Sequence, residues 1–105
     1  VNAASVGNFV RAAEPLIDWV SECITHVRES GFSRIEPTIE AEDGWVQHVN
    51  DEGEKILRTK AANWFVGANI PGKARALLTA PDTAPAMRAK RAEVAAKGYE
   101  GFVLQ

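Results

Sequence analysis

The sequence predicts an α-rich α/β chain of about three helices plus short strands. Leu16, Ile17, Val20, Cys23, Ile24 and Val27 recur at helical spacing and set an apolar face on the first helix. Thr38 precedes Glu40, Glu42 and Asp43 and then Trp45, Val46 and Val49, the order of an N-cap, an acidic first turn and a buried face. Asp82-Thr83 with Pro85 opens an Ala-rich, basic stretch that runs to Gly98.

Taken in order, residues 1–14 are small and weakly patterned. Pro15 suits the first turn of helix one, where its missing N–H costs nothing, and Asp18 and Arg28 match the helix dipole at the two ends. Gly31 ends that helix. Phe32 to Pro37 reads as an extended connection. Gly53 weakens the end of helix two, and residues 56–66 read as a strand or an irregular segment. Ile70-Pro71-Gly72-Lys73 is a type II turn, with Pro presetting φ at the second position and Gly taking positive φ at the third. Ala76-Leu77-Leu78-Thr79 is a short strand candidate stopped by Pro81, and Phe102-Val103-Leu104 is a terminal one.

Size and charge bound the function. A chain of 105 residues is one domain at most. Its 46% hydrophobic and 25% charged residues are ordinary for a soluble globular protein. A net charge of −2 offers no electrostatic reason to bind nucleic acid or an anionic membrane. No apolar run is long enough to span a bilayer, and no secretory signal pattern is present. Cys23 is the single cysteine, so a disulfide framework is excluded and a cytoplasmic setting is expected. The first residue is Val1, which suits a processed product or a piece of something larger.

Several constellations are weighed against plainer readings. Gly67 to Lys73 has the spacing of a phosphate loop, but Ala74 stands where a Ser or Thr would hold Mg²⁺, and Pro71 removes a cradling amide. A strand rather than a helix is expected after Lys73, so no helix N-terminus faces a phosphate. Cys23 and His26 share a helix, yet Cys23 sits on the apolar stripe as a small buried thiol. His48 with Glu40, Glu42 and Asp43 is a solvated helix face, with no second His or Cys at ligand spacing, and no metal is expected. Arg88 and Arg91 read as a surface face. Trp19 and Trp45 lie in apolar stripes and read as core. Trp64 precedes a Gly-punctuated loop, and by pattern alone it is a loop anchor packing on the core.

The stretch Trp64-Phe65-Val66-Gly67-Ala68-Asn69-Ile70-Pro71-Gly72-Lys73 resembles a segment near the C-terminus of flavin-dependent Baeyer–Villiger monooxygenases. Ile17-Asp18-Trp19-Val20 with Cys23-Ile24, Ile35-Glu36-Pro37-Thr38, Ala41-Glu42-Asp43-Gly44-Trp45 and Gly98-Tyr99-Glu100-Gly101-Phe102 extend the resemblance over most of residues 8–104. The resemblance implies a fragment completing the FAD-binding part of a flavoprotein with two dinucleotide-binding domains. It divides the chain into a helical part (8–58), a mobile lid loop (59–73) and a strand-helix-strand tail (74–105). No G-x-G-x-x-G turn occurs in the chain. The implied cofactors, FAD and NADP, therefore belong to the full-length enzyme; this segment alone is expected to bind neither and to be inactive, with no catalytic residue of its own.

By the same resemblance the parent enzyme converts ketones to esters or lactones with NADPH and O₂, and the partner of this segment is the remainder of that enzyme. Trp64 is implied to contact the ribose of NADP as part of the lid. Gly67 and Gly72 would be its hinges, Asn69 and Lys73 would pin its closed form, and Leu78 and Thr79 would line the ketone pocket. One departure stands out. Many members follow the turn with a strand, an aromatic-Gly-Gly and a Tyr-Arg; in Leu77-Leu78-Thr79-Ala80-Pro81-Asp82 the strand fits but the aromatic-Gly-Gly is missing, which implies a roomier wall and bulkier ketones. The alternative reading is a free-standing small helical interaction domain without catalytic activity.

Overall fold

The computed structural model describes residues 9–105, so residue 8 of the expected helical part lies outside the described residues. The elements run α1 (Phe9–Glu29), β1 (Ile35–Pro37), α2 (Ile39–Glu54), two 3-10 turns (Leu57–Lys60 and Trp64–Val66), α3 (Ala84–Ala96) and β2 (Phe102–Leu104). Helix one therefore starts upstream of its expected position, with Pro15 inside it rather than in its first turn. Residues 10–14 contain Ala12, Ala13 and Glu14, good helix formers that carry the helix back past the proline. Its end is as read. The Gly31 N–H donates to the Arg28 carbonyl (3.2 Å) and the Phe32 N–H to that of Val27 (2.9 Å), the paired bonds of a Schellman ending.

Both remaining helices carry the expected caps. The Thr38 hydroxyl accepts from the Ala41 N–H at 3.1 Å, and the Thr83 hydroxyl accepts from the Ala86 N–H at 3.4 Å. β1 and β2 pair antiparallel in the register Ile35↔Leu104, Glu36↔Val103 and Pro37↔Phe102. The Ser33 and Arg34 N–H groups both reach the Gln105 carbonyl, and the Thr38 N–H reaches that of Gly101 (2.9 Å), so the pairing holds the end of the chain against the start of α2.

Of the two forms expected for residues 56–66 the structure shows the irregular one, two 3-10 turns joined by a short extended link. One sequence expectation is corrected: residues 76–79 are not a strand. A strand needs a ladder, and this stretch faces a 3-10 turn that offers the Leu78 N–H one carbonyl, that of Phe65, at 2.8 Å.

The centre of the helical body is Tyr99, 3% exposed, held at φ 62° just after α3. Trp19 and His26 of α1 lay their rings 5.7 and 5.0 Å from it. Burial pushes the Tyr99 phenol above its usual range, and the Cys23 thiol beside it adds to the effect. Cys23 itself is half-buried. The Trp19 indole N–H donates to the Arg91 carbonyl at 2.9 Å and ties α1 to α3.

Elsewhere the core is thin. Among the described residues the buried hydrophobics are Val49, Val66 and Tyr99. Val10, Ile17 and Ile24, spaced by two helical turns, are 60–62% exposed along one face of α1, and Val46 is half-exposed on α2. The accessible surface is 7467 Å², against about 5,800 Å² for a compact monomer of this mass. The radius of gyration is 15.5 Å, against about 13 Å for a compact chain of this length. The faces of residues 16–27 and 45–49 are left partly uncovered, as expected of a segment that packs on something more. Among the described residues no helix is long and apolar enough to cross a membrane.

Candidate functional site

The candidate site is the loop between α2 and α3. Its base is fixed first. The Thr59 hydroxyl, just after α2, donates within reach of the Gly53 (2.8 Å) and Ile56 (3.0 Å) carbonyls. On the return side the Leu78 N–H closes the loop onto the Phe65 carbonyl, and Thr79 is buried. Further along, Asp82 Oδ1 meets His48 Nε2 at 2.9 Å, linking the residues ahead of α3 to α2. The other carboxylate oxygen, Oδ2, is buried without a partner among the described residues. His48, weighed earlier as one of a helix-face set with Glu40, Glu42 and Asp43, is thus a tertiary contact, with its ring also 5.3 Å from Trp45. Among the described residues no group of three or more His, Cys, Asp or Glu is placed to hold a metal ion.

Above this base the backbone is shaped by local side chains. The Asn63 carboxamide oxygen accepts from the Phe65 N–H (2.9 Å), and its amide donates to the Ala61 carbonyl (2.8 Å), which starts the turn Trp64–Val66. Gly67, at φ 69°, closes that turn with its N–H on the Trp64 carbonyl. The Lys73 N–H then reaches the Ile70 carbonyl (3.4 Å) with Gly72 at φ 77°, the expected type II turn. Both glycines occupy conformations that side chains resist. After Lys73 the chain is irregular and α3 begins only at Ala84, so no helix N-terminus stands behind the Gly67–Lys73 motif.

Trp64 is where sequence and structure part. It is not packed on the core; it is 59% exposed and stacks on Phe65, with ring centroids 4.0 Å apart. Its indole N–H takes no hydrogen bond among the described residues. Val66 and Gly67 are buried instead, so the residues beside Trp64 anchor the loop and leave the tryptophan outside. Asn69 and Lys73 are exposed at the tip, beyond Gly67 and around Gly72. Leu78 is half-exposed while Thr79, next to it, is 4% exposed. The structure therefore gathers Trp64, Gly67, Asn69, Gly72 and Lys73 on one loop and sets Leu78 and Thr79 at its foot. Arg88 is exposed and Arg91 half-buried, lining a separate cleft with Arg11 and Pro15.

Sequence reasoning missed the His48–Asp82 contact, which joins residues 34 apart and leaves no local trace. It also misread Gly53. This glycine is not needed to end α2, whose C-cap is Lys55 in ordinary right-handed conformation. A Cβ at Gly53 would meet Leu77 Cδ2 at 3.0 Å and Thr59 Cγ2 at 3.5 Å, so both sides of the loop converge on it. A glycine inside an otherwise helical run was the one available signal.

No protein-family profile matches the chain. Among curated proteins it is similar to the acetone monooxygenase (methyl acetate-forming) of Gordonia sp. strain TY-5, 38% identical over 102 residues, which is 97% of this chain and 19% of that protein. Among solved structures it resembles cyclohexanone monooxygenase from Rhodococcus sp. Phi1 bound to NADP⁺, with a TM-score of 0.80, 34% identity, and coverage of 88% of this chain and 17% of that one. It also resembles the OTEMO enzyme in complex with FAD and NADP, with a TM-score of 0.73, 30% identity, and coverage of 84% and 16%. The chain thus spans less than a fifth of the length of these relatives.

Proposed function

We propose, for a chain that belongs to the Baeyer–Villiger monooxygenase family as one segment of such a protein, that residues 59–73 are the lid that closes over NADP in an FAD- and NADPH-dependent enzyme converting ketones to esters or lactones. The observation that carries the proposal is Trp64: a large apolar side chain, exposed at the front of a loop whose base is fixed, with an unused donor. Those properties fit a nucleotide. The ring covers its apolar side and the indole N–H donates to an oxygen of the ribose.

FAD, held by the rest of the enzyme, would supply the oxygen chemistry: with NADPH and a proton as reductant, one atom of O₂ would enter the carbon–carbon bond beside the carbonyl and the other would leave as water. The segment's own residues bind, orient and exclude water. Trp64 covers the nucleotide. Gly67 and Gly72 absorb the backbone rotation of closure, and Asn69 and Lys73 hold the closed form by polar contacts. Leu78 presents apolar surface to the ketone side, and Thr79 supports it from behind. No glycine-rich pyrophosphate turn is present, so FAD and the phosphates of NADP are held by the rest of the enzyme. The substrate class is ketones as such. Acetone is the ketone in the name of a relative 38% identical to this segment, which gives no support to the expectation of bulkier substrates. The partner of the segment is the remaining flavoprotein, and the enzyme is cytoplasmic, as an unpaired thiol suits.

The alternative, a free-standing helical interaction domain, requires a core of its own, and the buried Val49, Val66 and Tyr99 are too few for that. The test is Trp64→Ala and Trp64→Phe in the full-length enzyme. Loss of about 1–1.4 kcal/mol of closed-state stabilisation lowers product formed per NADPH consumed about fivefold to tenfold in the alanine variant. The phenylalanine variant, which keeps the ring area but not the donor, falls between. Unchanged coupling in Trp64→Ala removes the lid role.

A further inference from the structure

We infer that Gly53 is the socket that positions the lid, acting through Leu77 and Thr59 and not through the end of its own helix. Glycine is among the costliest residues inside a helix. Gly53 lies within α2, its φ is not in the left-handed region, and the cap at Lys55, just past the last helical residue Glu54, takes from Gly53 only its carbonyl, which any residue supplies. Local helix chemistry favours alanine there, and at Gly53, unlike Gly44, the packing supplies an opposing demand.

The demand is visible in the packing. Gly53 is buried, and the site of its absent Cβ lies 3.0 Å from Leu77 Cδ2, closer than methyl groups pack. Its carbonyl takes the Thr59 hydroxyl at 2.8 Å. Thr59 leads into the loop and Leu77 leads out of it, next to the Leu78 N–H that closes the loop on Phe65. One missing methyl group thus lets the two ends of the loop seat side by side on α2. A methyl group at residue 53 makes Leu77 Cδ2 give by a few tenths of an ångström, and a larger side chain there presses further on Leu77 and on the frame that carries Trp64. Gly44, in the same helix, has nothing within 4 Å of its Cβ position, so of these two glycines of α2 it is Gly53 that is packed against; outside α2, Gly101 approaches the Ala41 Cβ as closely, at 3.0 Å.

The inference rests on the lid reading and names a positioning residue for it. The experiment compares Gly53→Ala, Gly53→Val and Gly53→Ala/Leu77→Val in the full-length enzyme. Because alanine is the better helix former, Gly53→Ala leaves the thermal midpoint unchanged or raises it. It nevertheless raises KM for NADPH about threefold to tenfold, the factor by which the closed population falls, with kcat less affected. Gly53→Val does more. Leu77→Val, which lacks the Cδ2 methyl, brings the alanine variant back toward the parent KM and coupling. Unchanged KM and coupling in both single variants overturn the socket, as does a loss that Leu77→Val does not relieve or that only follows a fall in thermal midpoint. If Trp64→Ala leaves coupling intact, the lid reading fails, and the socket is read by hydrogen exchange at the amides of residues 63–73. Faster exchange in Gly53→Ala upholds it, and unchanged exchange overturns it.

Discussion

Trp19 and Trp64 show how differently the two halves of this chain use the same side chain. Trp19 lies between helices, its N–H donated to the Arg91 carbonyl and its ring against Tyr99. Trp64 stands on a loop, mostly exposed, and among the described residues its ring stacks on the Phe65 beside it in sequence. In the helical body every large polar aromatic has a partner within the chain. In the loop the backbone is organised by Asn63, Gly67 and the type II turn, while Trp64 meets a ring beside it in sequence and no ring or carbonyl of another described element. A loop so well held by its backbone does not need its tryptophan for stability, and that separates a shape-giving region from a contact-giving one.

The largest break in that comparison comes from the body. Tyr99→Ala removes the ring that Trp19 and His26 pack against and costs about 3–5 kcal/mol, read by denaturant unfolding of the full-length enzyme followed by circular dichroism. The matching truncation in the loop, Trp64→Ala, costs less than about 0.5 kcal/mol in the same assay, because an exposed side chain has little packing to lose. A smaller effect sharpens the body's own account. Thr38→Ala removes the cap on the Ala41 N–H and costs about 1 kcal/mol, with coupling of NADPH to product unchanged. Equal losses of stability for Tyr99→Ala and Trp64→Ala would erase the distinction.

What was legible in the sequence was local. Thr38, Thr83, Gly31 and the Ile70–Lys73 turn act on backbone groups two to five residues away, and each sits where its chemistry placed it. The uncovered faces of α1 and α2 were legible as well, since their apolar residues outnumber the contacts a chain this short can make. What was not legible depended on residues distant in sequence. Residues 76–79 have the composition of a short strand but meet only one carbonyl, so the propensity finds no ladder. Trp64 reads as a core anchor until Val66 and Gly67 take the buried positions beside it. Gly53 reads as a weak helix end until Leu77 arrives from the far side of the loop.

The most direct measurement is hydrogen exchange on the full-length enzyme with and without NADP⁺. The account predicts that amides of residues 63–73 slow on binding the nucleotide, while those of α1 and α3 keep their rates. Unchanged exchange in the loop, or a slowing spread evenly over helices and loop, would contradict it.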